Sequence, residues 1–322
     1  MLMPQWERLL PYSPRGVLRP TVDPVGNRFY VSDGVGTPPG ALQLRAMALT
    51  DGAEVGAVSL REPARALAFL PDDTLMVATG KRLLLLDRAT LGVRQEWTEH
   101  VPRDSDYLAV AEGRALLCSR GGPNLAVYHL SGKVSKKRVG SCRGIAPSGD
   151  LKRFLLYGGD EGIIWSYAPV NGRLSERVQV PPFVRAAWAP DLSRFALVLA
   201  MGKEVGYFPP GSLVRVYQNE EPLTYQECTI PVKFQEVALS DDGALLYAFG
   251  HNQLSILSSA TGVELERLTI DSHWRIRSLF PERGCFVAAA GFDERSLAGF
   301  TVPSRSVEFG RQESRGDVNN LS

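Results

Sequence analysis

The sequence predicts an all-β protein, a seven-bladed β-propeller of four-stranded antiparallel blades. Three observations carry this expectation. One hairpin pattern recurs seven times, at spacings of 36 to 50 residues that average about 43, the period of a four-stranded blade. A second hairpin follows the first, so each repeat holds four strands. No stretch combines helical caps with helical periodicity.

The recurring hairpin is an apolar strand, a tight turn rich in Pro, Asp and Gly, and a second apolar strand. In chain order it reads PTVDPVGNRFYVSDG (20–34), ALAFLPDDTLMVATG (66–80), YLAVAEGRALLCSRG (107–121), GIAPSGDLKRFLLYGG (144–159), AAWAPDLSRFALVLA (186–200), VALSDDGALLYAFG (237–250) and RSLFPERGCFVAAAG (277–291). The turns open at Pro24, Pro71, Ala111, Pro147, Pro190, Ser240 and Pro281. The second hairpins include LRAMALTDGAEVGAV (44–58), RLLLLDRATLGVRQEW (82–97), AVYHLSGKVSKKRV (126–139), IWSYAPVNGRLSERVQV (164–180) and QLSILSSATGVELERL (253–268). The Ala-rich run 53–68 contains Pro63 and sits between repeats, which argues against a helix there.

A propeller closes when its two ends share a sheet, which removes a free edge. WERLL (6–10) resembles ELERL (264–268), an outer strand, so Trp6 to Leu10 is expected to complete the last blade. SRSVEFG (304–310) competes for the same slot. One domain is expected over 1–310, with the polar residues 311–322 a disordered tail.

Composition narrows the function. Thirty-six basic residues against 35 acidic ones leave a net charge of +1, no support for a sequence-independent nucleic-acid binder. No apolar run reaches the length of a membrane span, and MLMPQWERLLPYSP lacks the charge and apolar core of a secretory leader. Cys118, Cys142, Cys228 and Cys285 form no CxxC pair. They are expected to be reduced, mostly buried thiols in a cytoplasmic protein.

Across nearly its whole length the repeat pattern resembles the WD40/YVTN group of β-propellers, although no Trp-Asp dipeptide is present. The resemblance implies an interaction platform more often than an enzyme, and fold does not by itself assign function.

No serine has glycine at both minus two and plus two, so a nucleophile elbow is absent. The Gly-Lys pairs lack Walker spacing, and DGVGTPPG (33–40) leads into a strand instead of a helix. His100, His129, His251 and His273 are not paired at metal-ligand spacing, and the latter two read as solvated loop residues. No cofactor or metal is expected. Asp104, Asp106 and Glu236 fall near the starts of innermost strands, where they would either act as acid and base or pair with arginines. The arginines recur at equivalent depth before the turns: Arg19, Arg65, Arg143, Arg185, Arg275 and Arg277. Guanidiniums gathered at one channel mouth would hold carboxylate or phosphate; if neutralised by those carboxylates they only tie blades together.

The loop MGKEVGYFPPGS (201–212) is expected to present Tyr207 and Phe208, and Trp274 is expected in a loop on the same side. Aromatic and arginine residues dominate binding hot spots. Lys133, Lys136, Lys137 and Arg138 fall on an outer strand, where lysines discourage edge pairing. The tripeptide Arg315-Gly316-Asp317 is read as chance. The expectation is a non-catalytic propeller that binds a partner protein, through an acidic segment, at its loop face and channel mouth. It would serve alone or as a subunit of a larger complex, without nucleic acid or membrane. The alternatives are a lactonase-like hydrolase using Asp104, Asp106 and Glu236, or a small-anion sensor using the arginines.

Overall fold

The structure, a computed structural model, describes residues 1–302 apart from 15–19, 24–25, 35, 39, 71, 103–104, 112, 120–121, 123, 139–141, 148–153, 159–161, 169, 190–192, 200–206, 220–223, 241, 281–283 and 291–293. The competing closing segment 304–310 and the tail therefore lie outside the described residues.

A short N-terminal strand, β1 (Trp6–Leu9), precedes six sheets of four consecutive strands each. The first sheet holds Thr21–Val22, Arg28–Ser32, Gln43–Ala48 and Glu54–Ser59 (β2 to β5). The second holds Ala64–Phe69, Thr74–Thr79, Leu83–Asp87 and Val93–Trp97 (β6 to β9), and the third Ser105–Ala111, Arg114–Ser119, Asn124–His129 and Val134–Arg138 (β10 to β13). The fourth holds Cys142–Pro147, Phe154–Gly158, Ile163–Ala168 and Arg173–Gln179 (β14 to β17). The fifth holds Phe183–Trp188, Arg194–Leu199, Ser212–Gln218 and Tyr225–Ile230 (β18 to β21), and the sixth Glu236–Leu239, Leu245–Gly250, Gln253–Ser258 and Glu264–Thr269 (β22 to β25). The seventh has Trp274–Phe280, Cys285–Ala290 and Ser296–Thr301 (β26 to β28), and β1 is its fourth strand. These are the seven antiparallel blades of a β-propeller, the fold class predicted from the repeats.

Sequence pattern explains the layering. The second strand of each sheet lies between neighbours and is packed on both faces, so it reads as a continuous apolar run. TLMVAT in β7 and LLYAFG in β23 are buried along their whole length. The outer strands have one face in water and alternate, with Val55 of β5, Val93 of β9 and Tyr225 of β21 exposed. In the fifth blade Trp188, Phe195, Tyr217 and Tyr225 stack from the innermost strand to the edge at successive centroid distances of 4.8, 4.9 and 5.3 Å. Such cross-strand aromatic pairs add to area burial.

The blades group into two compact units. One comprises β18 to β28 with the N-terminal segment up to Glu7; the other comprises β2 to β17. The first unit is cored by residues such as Phe234, Leu246, Ile256 and Phe286, the second by residues such as Leu75, Leu86, Leu116 and Phe154.

The closing strand is the N-terminal one, as WERLL suggested. Gln5 N–H donates to the Gly299 carbonyl at 2.8 Å, and Leu10 N–H donates to the Arg295 carbonyl at 2.9 Å. Rising numbers in β1 thus meet falling numbers in β28, the antiparallel sense. The buried Trp6 indole lies directly on Gly299.

Buried charges stiffen the first two blades. Asp23, fully buried, accepts from Gly26 N–H at 2.9 Å and Arg28 Nε at 3.1 Å, and pairs with Arg88 Nη1 at 3.4 Å. Asp33 pairs with Arg45 at 3.3 Å and accepts from Gln43 N–H. One expectation fails. Cys118 of β11 and Cys142 of β14 are joined as a disulfide, and only Cys228 and Cys285 carry thiols. Spacing along the chain does not reveal that the second strand of one blade abuts the first strand of the next.

Candidate functional site

The innermost strands share a local irregularity. Register slips by one residue between Ala64 and Ala66 in β6, Ser105 and Tyr107 in β10, Cys142 and Gly144 in β14, Phe183 and Arg185 in β18, and Ile276 and Ser278 in β26. The positions that the register skips are Arg65, Asp106, Arg143, Val184 and Arg277. Four of these five are the charged residues singled out in the sequence. A bulge bends the strand and re-aims the side chain it carries, so strict alternation does not hold at these positions.

The predicted residues separate by location. Arg19 and Asp104 lie outside the described residues. Arg65 and Asp106, both half-buried, belong to the β2 to β17 unit, as does the backbone of Arg143. Arg185, Tyr207, Phe208, Glu236, Trp274, Arg275 and Arg277 all belong to the other unit, where three blades meet.

There the strand starts are laced together. Arg185 of β18 donates through Nε to Glu236 of β22 at 3.2 Å, the neutralising pairing weighed from the sequence. Arg277 of β26 donates to the side-chain carbonyl of Gln235 at 3.3 Å. Phe208 and Phe234 form an isolated two-stranded bridge, with N–H to carbonyl distances of 2.7 and 3.1 Å. Their rings pack at 5.0 Å.

That bridge corrects one expectation: Phe208 is buried, 8% exposed, and anchors its loop instead of presenting itself. A second correction concerns Trp274. It opens strand β26 and is 3% exposed, its ring packed edge-on against Phe300 at 6.3 Å. Both side chains are large and apolar, and the core takes them. Beside Trp274, the backbone N–H and ring of His273 hold the Asp271 carboxyl below the ordinary carboxylate range.

Pinning Phe208 leaves its neighbour Tyr207 half-exposed at the centre of a cationic group. Arg275, exposed, donates through Nη1 to the Tyr207 hydroxyl at 3.2 Å. Lys233, also exposed, places its ammonium 5.0 Å from the Tyr207 ring centroid, in cation–π range. His251 meets the same ring edge-on at 5.9 Å. Among the described residues, neither Lys233 nor Arg275 has a carboxylate partner.

His251 occupies a left-handed conformation, φ 53°, which costs most non-glycine residues about 1 kcal/mol. Its carbonyl accepts from Ile276 N–H at 2.7 Å, and its Nδ1 lies 2.7 Å from Asn252 Oδ1. The preceding Gly250 has φ 135°, and a Cβ there would stand 2.7 Å from Gln235. Glycine is therefore required for the turn that carries His251 past the start of β22.

Lys233, Gln235 and His251 escaped sequence reasoning. Lys233 and Gln235 lie just before a strand and off the arginine phase, and His251 read as a solvated loop residue. A histidine in a two-residue turn, directly after a glycine such as Gly250, is the one signal that pointed to it.

Among the described residues no group of three or more His, Cys, Asp or Glu side chains is placed to hold a metal, and no helix is long and apolar enough to cross a membrane. The arrangement offers hydrogen-bond donors, cations and one aromatic face, suited to gripping an anionic group.

No family model matches the sequence, and no curated protein matches it. Solved structures do. The β-propeller domain of Cps50 (Swd1) from Myceliophteria thermophila superposes with a TM-score of 0.65 over 92% of this chain and 99% of that one, at 9% identity. At that identity the likeness is one of fold, and it bears out the β-propeller.

Proposed function

We propose that the chain is a non-catalytic interaction propeller that docks an acidic segment of a partner protein on the face around Tyr207. The observation that carries the reading is the pair Lys233 and Arg275. Two exposed cations flank one aromatic ring, with no carboxylate partner among the described residues. Cations held beside an aromatic platform combine charge-assisted bonding with low entropy loss. Arg185 engages Glu236, the blade-tying pairing, and this weighs against the hydrolytic alternative.

The test compares three immobilised baits: wild type, Lys233→Glu/Arg275→Glu, and Lys136→Glu as a control on the outer strand β13. Each is checked for folding by circular dichroism. Capture of a partner by wild type and the control, lost with the double variant, supports the docking face. Equal capture by all three overturns it. Saturable binding of inorganic phosphate to wild type, lost with the double variant and with no protein partner captured, would favour the small-anion alternative at the same residues.

A further inference from the structure

We propose that the seam between the third and fourth blades holds a phosphate-binding site, built from Tyr167 and Lys137 and flanked by Arg114, His129 and Lys133. It belongs to the β2 to β17 unit and does not depend on the Tyr207 face.

Alternation along the strands puts the basic groups on one face. Leu116 and Cys118 of β11 and Leu125 and Val127 of β12 face the fourth blade, packed in one apolar cluster with Phe154 and Tyr167. Two residues further along on the same face stand Arg114 and His129, directly opposite each other in the ladder. The turn after β12 keeps Lys133 beside them, with His129 N–H donating to the Lys133 carbonyl at 2.8 Å. Lys137 of β13 lies opposite Leu125, so it too faces the fourth blade, and it is half-buried. A lysine that only deterred edge pairing would stand in water, as Lys136 does on the other face of the strand.

Across the seam is Tyr167 of β16. Its side chain is buried, 2% exposed, and its hydroxyl has no hydrogen-bond partner among the described residues. Buried hydroxyls are almost always bonded, so an acceptor is called for. Gly172, with φ 64°, leaves the adjoining space open: a Cβ there would stand 3.6 Å from Lys137 Nζ and 3.9 Å from the Tyr167 hydroxyl. A group at that point meets both. Burial pushes the Tyr167 hydroxyl above its ordinary 10, with Arg114 opposing, so it stays a donor at neutral pH. Burial and then the Arg114 and Lys133 cations hold the His129 ring below its ordinary 6.5. Among the described residues, His129, Lys133 and Lys137 have no carboxylate partner. A carboxylate offers its oxygens in one plane, whereas phosphate offers them tetrahedrally, which suits donors arriving from two blades; lysine binds phosphate as a point charge.

The test titrates the full chain with inorganic phosphate and with inositol trisphosphate by calorimetry at fixed ionic strength. Wild type should bind saturably. Tyr167→Phe, which keeps the ring, and Lys137→Gln should each weaken binding about tenfold. Lys136→Gln and Lys233→Glu/Arg275→Glu should retain it. The His129 ring signal in proton NMR, assigned with His129→Gln, should shift as ligand is added. Phosphatidylcholine vesicles with and without phosphatidylinositol bisphosphate separate the two sources of phosphate. Sedimentation with the phosphorylated vesicles alone, lost in Lys137→Gln, assigns a lipid headgroup; calorimetric binding without sedimentation assigns a soluble ligand. No binding by wild type, or equal affinity in wild type, Tyr167→Phe and Lys137→Gln, would overturn the site. So would binding lost only in Lys233→Glu/Arg275→Glu, with the His251 signal shifting in place of His129.

Discussion

Replacing Gly299 by alanine should damage the closing strand, and the structure sets the size of the effect. A Cβ at position 299 would lie 2.2 Å from Trp6 Cε2, 2.4 Å from Nε1 and 2.5 Å from Cζ2. Carbon atoms pack at about 3.5–4.0 Å, so the indole must retreat by more than an ångström. Trp6 is 7% exposed and anchors β1, which has no other buried side chain within its four residues. Overpacking of this kind costs about 1–3 kcal/mol, and complete loss of the Trp6 packing would cost about 3–5 kcal/mol. We expect Gly299→Ala to fall between, near 2–3 kcal/mol in urea unfolding. The Gly299 backbone does not occupy the left-handed region, so without the indole the substitution should be worth less than about 0.5 kcal/mol in either direction. A double-mutant cycle with Trp6→Ala therefore isolates the contact. Native-state hydrogen exchange at Gln5 should accelerate in Gly299→Ala, because that amide donates to the Gly299 carbonyl. The same cost for Gly299→Ala in both backgrounds would refute the claim that Trp6 is what requires glycine there.

Three further outcomes follow from the packing. Asp23→Ala leaves Arg28 and Arg88 facing a buried site without their carboxylate and should cost about 3–5 kcal/mol, whereas removing the exposed partner of Arg88 by Asp73→Ala should cost less than about 1 kcal/mol; comparable urea midpoints for the two would contradict this. Hydrogen bonds from Arg267 and Ser255 hold the Glu264 carboxyl below its ordinary 4.5 against the opposing effect of burial. A lowered folded-state value means its stabilisation is present above 4.5 and lost as the pH falls through the folded value. The stability gap between wild type and Glu264→Gln should thus be flat from neutral pH to about 5 and shrink in more acid solution. With its thiol pushed up to about 11, Cys228 should resist iodoacetamide in the folded protein at pH 8 and react once denaturant is added; rapid labelling of the native chain would show the site to be open.

Strand identity was legible from sequence because it depends on local pattern. VALSDDGALLYAFG declares its turn and its doubly packed second strand in fourteen residues, and six relatives of it in the same chain fix the period. WERLL was legible for the same reason as one of two candidates for the closing strand, a copy of an outer strand, and the pairing of β1 with β28 chose it. The arginine positions were also visible, yet their directions were not. One inserted residue turns a side chain by half the strand's alternation, and the bulges at Arg65, Arg143 and Arg277 are properties of the pairing.

What the sequence by itself determined is the number of strands and their grouping into seven blades, both consequences of repeated short-range chemistry; it left two terminal segments competing to complete the last blade. Tertiary structure alone decided that Phe208 and Trp274 go into the core, that Lys233 and His251 gather round Tyr207, and that Cys118 meets Cys142. Those outcomes join residues 24 to 44 positions apart in the chain. They depend on which strand ends abut once the sheets pack, and no local pattern of hydrophobicity or turn residues encodes that.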